Sequence, residues 1–231
     1  MKQPRSRRSD TPPTEMSRPF PAHLKSIREI DLRADGGFTG RYRKYPRAWL
    51  GEVPNTIYKR HIHCWLFAEN EEVVGTFELI DFDDPCDGYV DDEDFWMLMD
   101  SHDNSTMELA EALTATWPDI SASLFPYGAI ILVDRAWVKP QYARRSEWAA
   151  VLRRLIEIEF RDYSVITLKA FPLEFTSKDD RSHFHSRLRA LMRLYRRELG
   201  MRLFPGEAGK MGWMYSVAPR LVDLLEVPET S

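Results

Sequence analysis

Between residues 60 and 68 the chain alternates, with Ile62, Cys64 and Leu66 on one parity and His61, His63, Trp65 and Phe67 on the other. Alternation with period two marks a strand whose faces meet different surroundings. Residues 73–80 are rich in β-branched and aromatic side chains, and the polar Glu69-Asn70-Glu71-Glu72 between the two runs predicts a hairpin. The run Ala129-Ile130-Ile131-Leu132-Val133 within 128–138 predicts a strand covered on both faces and stopped by Lys139-Pro140. Helical spacing takes over in three places. Leu109, Leu113 and Trp117 follow a Ser105-x-x-Glu108 capping box and stop at Pro118. Trp148, Leu152 and Leu155 share one face of a helix expected over 146–160. Phe184, Leu188, Leu191, Tyr195 and Leu199 keep the same spacing up to a terminal Gly200. Two further strands are expected at 165–170 and 213–217, and a short helix at 23–31, while 38–58 is ambiguous.

The resulting order is hairpin, helix, buried strand, helix, strand, helix, strand. It predicts an α/β domain with a mixed, twisted central sheet flanked by helices. A length of 231 residues suits one hydrophobic core, which we place at 21–218. Residues 1–20, with four prolines and Arg5, Arg7 and Arg8, read as a disordered basic tail, and 219–231 as a C-terminal tail. The acidic stretch 81–94 reads as an exposed loop, because like charges repel.

Composition narrows the picture further. Hydrophobic content of 43% and charged content of 29% are those of a globular chain. A net charge of −4 argues against nucleic acid as a partner held by overall charge. Cys64 and Cys86 make no disulfide framework, and no apolar run approaches the length of a membrane span. A cytoplasmic protein without membrane contact is the expectation. Serine-elbow, Walker and dinucleotide-binding fingerprints are missing from the sequence. Glu78 and Asp134 each lie in an otherwise apolar strand, where burial raises a carboxylate pKa, so both are candidate general bases.

Residues 130–155 read as a strand, a tight loop and a helix, and they resemble motif A of the GNAT superfamily of acyl-CoA-dependent N-acetyltransferases. Residues 191–201 resemble motif B of that superfamily, and the hairpin resembles its second and third strands. In this family the strand offers backbone groups to the pantetheine arm. A glycine-containing loop wraps the pyrophosphate at the helix N-terminus, where free amides and the helix dipole attract anions. The resemblance implies acetyl-CoA as donor and a small-molecule or protein amine as acceptor. It implies that Trp137 and Val138 lie along the pantetheine arm. Ala143, Arg144, Arg145, Ser146, Glu147 and Trp148 would form the phosphate loop, and Tyr195 would be the acid that protonates the departing thiolate. Ser146 and Trp148 stand where the family has glycines, and side-chain bulk there opposes close approach to phosphate. A second reading therefore stays open: a catalytically degenerate GNAT-fold module that binds a protein partner or regulates. The spacing around Tyr195 equally suits a core tyrosine.

Overall fold

The computed structural model describes residues 32, 37–50, 57–84, 90–143, 146–172 and 181–225. The expected tail at 1–20, the expected helix at 23–31, and Arg144 and Arg145 lie outside the described residues.

The alternating run becomes β3 of a sheet that starts with β1 (Thr39–Lys44), the short β2 (Ala48–Trp49) and β3 (Tyr58–Phe67). Its hairpin partner is β4 (Val73–Asp83), paired without interruption from Tyr58↔Asp83 to Leu66↔Gly75. Three helices follow: α1 (Asp92–Asp100), α2 (Asn104–Thr116) and the single turn α3 (Ile120–Ser123). The chain then forms β5 (Ala129–Val138), the short α4 (Pro140–Ala143), α5 (Trp148–Glu159) and β6 (Tyr163–Lys169). It closes with α6 (Arg181–Leu199), β7 (Arg202–Leu203), α7 (Gly206–Lys210) and β8 (Trp213–Val217).

The strand order is β1-β3-β4-β5-β6-β8-β7, with β2 on β3. Among the described residues every pairing is antiparallel except β5 with β6, which are joined through α5. The fold is thus a mixed α/β sheet with helices on both faces. On one face α5 buries Trp148, Val151, Leu152 and Leu155 against Ile62, Phe77, Ile131 and Val133, and α6 adds Leu188 and Tyr195. On the other face α1 and α2 bury Phe95, Met99, Leu109 and Leu113 against Ile80, Phe82, Ile130 and Leu132. The even and odd residues of the apolar run in β5 divide between these two cores, which is why that run carries no polar member.

Three expectations need correcting. The cap of α2 is Asp103, which accepts from the Thr106 amide at 2.8 Å while the Thr106 hydroxyl accepts from the Asp103 amide; Ser105 and Glu108 are not the pair. Glu108 instead points to the end of β6. The acidic stretch is not all loop. Asp81 lies in β4, 2% exposed, with a two-point pairing to Arg60 at 2.6 and 3.1 Å. Asp91 caps α1, and Asp92 accepts from the Asp119 and Ile120 amides. Backbone donors favour the charges of Asp91 and Asp92, while burial raises the Asp81 pKa and Arg60 offsets part of that cost. Finally, the stretch expected as a tail from 219 packs back on the domain as far as it is described, burying Leu221 and Leu225. Among the described residues no helix is long and apolar enough to cross a membrane.

Candidate functional site

The pairing of β5 with β6 ends at Val133↔Leu168. Beyond that point β5 stays with β4 as far as Val138, whereas β6 stays with β8 and stops at Lys169. The two strands therefore part at their carboxyl ends, where open α/β sheets place their ligands. A cleft of about 670 Å³ lies in the gap. The parting has a local cause. The β4–β5 register shifts between Glu78↔Arg135 and Leu79↔Val133, leaving Asp134 as a bulged extra residue. The Lys139 amide donates to the Val74 carbonyl at 2.8 Å. By strand alternation, Ala136 and Val138 then turn their backbone groups away from β4, towards the gap.

Both layers contribute to the cleft. The start of α2, at Asp103 and Ser105, borders it from one layer, and Tyr195 of α6 borders it from the other. Val133 and Leu168 form its floor. Tyr195 is 5% exposed, belongs to the core beneath α5 and α6, and also lines the cleft. Phe171, just past β6, is 44% exposed and adds an apolar wall.

The carboxylates found in the apolar strands meet near this cleft. Asp134 lines it, and burial pushes its carboxyl above the ordinary range while the neighbouring Arg135 pulls it back. Arg135 Nε lies 3.6 Å from Asp134 and 3.9 Å from Glu78, so one guanidinium serves both carboxylates. His61 of β3 joins them. Burial lowers its pKa, with Lys59 and His102 acting in the same sense, and Asp134 and Glu78 oppose. His102 stands edge-on to His61 at 6.0 Å and lies 3.3 Å from Lys59. At neutral pH this arrangement holds an uncharged imidazole beside two carboxyl groups, a set able to accept a proton from an ammonium ion.

On the facing lip stands Lys169. It pairs with Glu108, and the same Glu108 oxygen accepts from the Trp213 indole at 3.1 Å. The Lys169 ammonium also lies 5.7 Å from the Trp213 ring centre. The residue is therefore held in place, with a cationic head at the cleft.

The residues expected to bind phosphate are arranged differently. Trp148 is 3% exposed and packs on Phe77 at 5.9 Å; it is a core residue in the first turn of α5, directed inward by the same spacing that carries Leu152 and Leu155. Its indole nitrogen has no hydrogen-bond partner among the described residues. Glu147, at the helix cap position, makes no capping bond and has a buried carboxylate oxygen without a hydrogen-bond partner among the described residues. The nearby Glu198 carboxylate is held below its ordinary range first by Arg197, and also by a hydrogen bond from Ser146. Two carboxylates thus stand at the helix end where a pyrophosphate would sit. As described, Ser146 and Glu147 do not fit that group. Ala143 ends α4, donating its amide to the Lys139 carbonyl at 2.9 Å. Trp137 and Val138 lie half-buried on the last turn of pleat of β5. Lys139 and Tyr142 both donate to Glu72 of the hairpin, tying the start of α4 to the β3–β4 connection.

A scan against protein-family models finds no match, and searches of curated proteins and of solved structures likewise find none. Of the residues singled out from sequence, Asp134 and Tyr195 line one cleft, Glu78 reaches it through Arg135, and Trp148 does not take part. The sequence did not single out Lys169 or His61 for this cleft. His61 was legible as a polar residue on the non-apolar parity of β3. Lys169 carried no signal, because its position depends on where β6 parts from β5.

Proposed function

We propose that the chain is an acyl-CoA-dependent N-acyltransferase of GNAT type that acts in the cleft between β5 and β6. The observation that carries the reading is this gap between parallel strands, bordered by Tyr195 on one side of the sheet and Asp134 on the other. The exposed edge at Ala136 and Val138 supports an acyl-pantetheine arm, whose amides can pair with it as an added strand would. In the reaction the acceptor amine loses a proton to the group formed by Asp134, Glu78 and His61. Its lone pair attacks the thioester carbonyl, the tetrahedral intermediate collapses with cleavage of the carbon–sulfur bond, the leaving thiolate takes a proton from Tyr195, and the second proton lost by nitrogen passes to solvent, from which the Tyr195 phenolate is reprotonated. The products are an N-acyl amide and a free thiol. Burial of Asp134 favours this chemistry, since a carboxyl raised above its usual range is a stronger base once ionised.

Glu147 and Glu198 favour a second reading, in which the nucleotide end of the donor is not gripped and the fold serves binding alone. One experiment separates the two. Thiol release is followed with acetyl-CoA and with a short acetyl thioester of N-acetylcysteamine, for wild type and Tyr195→Phe, across a panel of amines. The acyltransferase reading expects turnover in wild type and a fall in kcat of about a hundredfold or more in Tyr195→Phe, with donor affinity nearly unchanged. Neither thioester being consumed, together with undetectable acetyl-CoA binding by calorimetry, refutes it.

A further inference from the structure

The two lips of the cleft carry opposite charges. Val133 and Leu168 are the last paired residues of β5 and β6, so the residues that follow, Asp134 and Lys169, begin the two sides of the opening gap, and both line the cleft. Both lie on the α2 side of the sheet: Asp134 feels Asp103, the cap of α2, and Lys169 bonds Glu108 of the same helix. They start from neighbouring strands about 4.8 Å apart and diverge. Each has its own partner, Arg135 for Asp134 and Glu108 for Lys169. Lys169 therefore keeps donors beyond the one given to Glu108, since an ammonium has three. Between the lips lies cleft volume, closed at one end by the exposed ring of Phe171.

We propose that the acceptor is a free α-amino acid, bound as a zwitterion with its amine at Asp134, its carboxylate at Lys169 and its side chain against Phe171. The assignment rests on the acyltransferase reading for its chemistry but not for its binding geometry. A simple amine engages the Asp134 lip alone and a simple carboxylate the Lys169 lip alone, whereas an amino acid adds an opposite charge at both: its ammonium joins Arg135 at Asp134, and its carboxylate takes the donors of Lys169 that Glu108 leaves. The same placement brings the amine to the side of the sheet that holds His61 and Glu78, as deprotonation requires. Glu108 and Trp213 act here by positioning Lys169, not by touching the ligand.

The test measures binding by ligand-observed NMR on the full chain, with matched probes: L-phenylalanine, 2-phenylethylamine and 3-phenylpropionate, followed by the remaining L-amino acids. Wild type should bind one or more amino acids, and removing either charged group should weaken binding about tenfold or more. Lys169→Met should abolish the preference for an amino acid over its amine while leaving amine binding in place, and Lys169→Arg should retain that preference. Melting curves of both variants confirm that they fold. Equal binding of amino acid and amine in wild type, a preference that persists in Lys169→Met, or no binding by any amino acid overturns the assignment. Thiol release is read in parallel. Turnover of amines with no carboxylate preference overturns the amino-acid site and keeps the acyltransferase. Amino-acid binding that depends on Lys169, without thiol release from acetyl-CoA, overturns the acyltransferase and keeps the zwitterion site.

Discussion

Trp148 offers a decisive perturbation, because sequence and structure give it opposite meanings. As a bulky residue at a glycine position of a phosphate loop, its truncation should cost little and open a binding site. As the structure has it, Trp148 is 3% exposed, begins the apolar face of α5 and packs on Phe77 in the core beneath α5 and α6. Truncating a buried tryptophan to alanine removes its transfer energy and leaves a cavity, at a cost of about 3–5 kcal/mol. For a chain of this size each kcal/mol lowers Tm by roughly 2–4 °C, so Trp148→Ala should melt roughly 6–20 °C below wild type. Trp148→Phe is the control. It keeps most of the ring packing and removes an indole N–H that has no acceptor, so the two effects nearly offset and stability should change by under about 1.5 kcal/mol. Differential scanning calorimetry, with acetyl-CoA titrations on each variant, reads both meanings. A Trp148→Ala protein that melts within about 2 °C of wild type and gains acetyl-CoA affinity would refute the core assignment and restore the phosphate-loop one.

Two further outcomes follow from buried charge. Asp81→Asn removes the carboxylate paired with the Arg60 guanidinium, 11% exposed, leaving only the more distant charge of Glu159, and should destabilise by about 3–5 kcal/mol in urea melts. The paired change Arg60→Met with Asp81→Leu should recover most of that loss, and failure to recover would show that the pair does more than balance itself. His63 is stacked on Trp65 at 4.3 Å, and burial holds its pKa below the ordinary value of 6.5. The native state therefore binds fewer protons than the unfolded chain as pH falls below 6.5, so stability drops on acidification through that window. His63→Phe keeps the stack and should flatten the dependence of unfolding free energy on pH between 7.5 and about 5. An unchanged slope would place the proton uptake elsewhere, at His61 or His102, whose values burial also lowers.

Elements with a strong period were legible before any coordinates. The hairpin, β5, α5, β6, α6 and β8 each repeat an apolar residue at the spacing of one face, and burial of that face is what stabilises them. β1 was not legible: Gly40 and Tyr42 alternate with arginines that cover the edge, so its apolar signal is two residues long. The acidic stretch misled because charge alone does not reveal a partner, and Asp81 becomes a core residue only once Arg60 sits opposite it.

The residue chemistry of the site was present in the sequence one residue at a time. Glu78 and Asp134 stood out as carboxylates in apolar strands, and Tyr195 as a tyrosine on an apolar helix face. What periodicity cannot express is the gap that unites them. It exists because a bulge at Asp134 turns β5 away from β6 after Val133, and because α2 and α6 approach that gap from opposite faces. Lys169 and His61 owe their surroundings to the same cause, cross-strand and cross-layer neighbours, more than a hundred residues apart in one case: Glu108 and Trp213 meet at 3.1 Å. Local propensity sets which segments are strands and helices; where those strands part, and which charges then face each other, is a property of long-range packing.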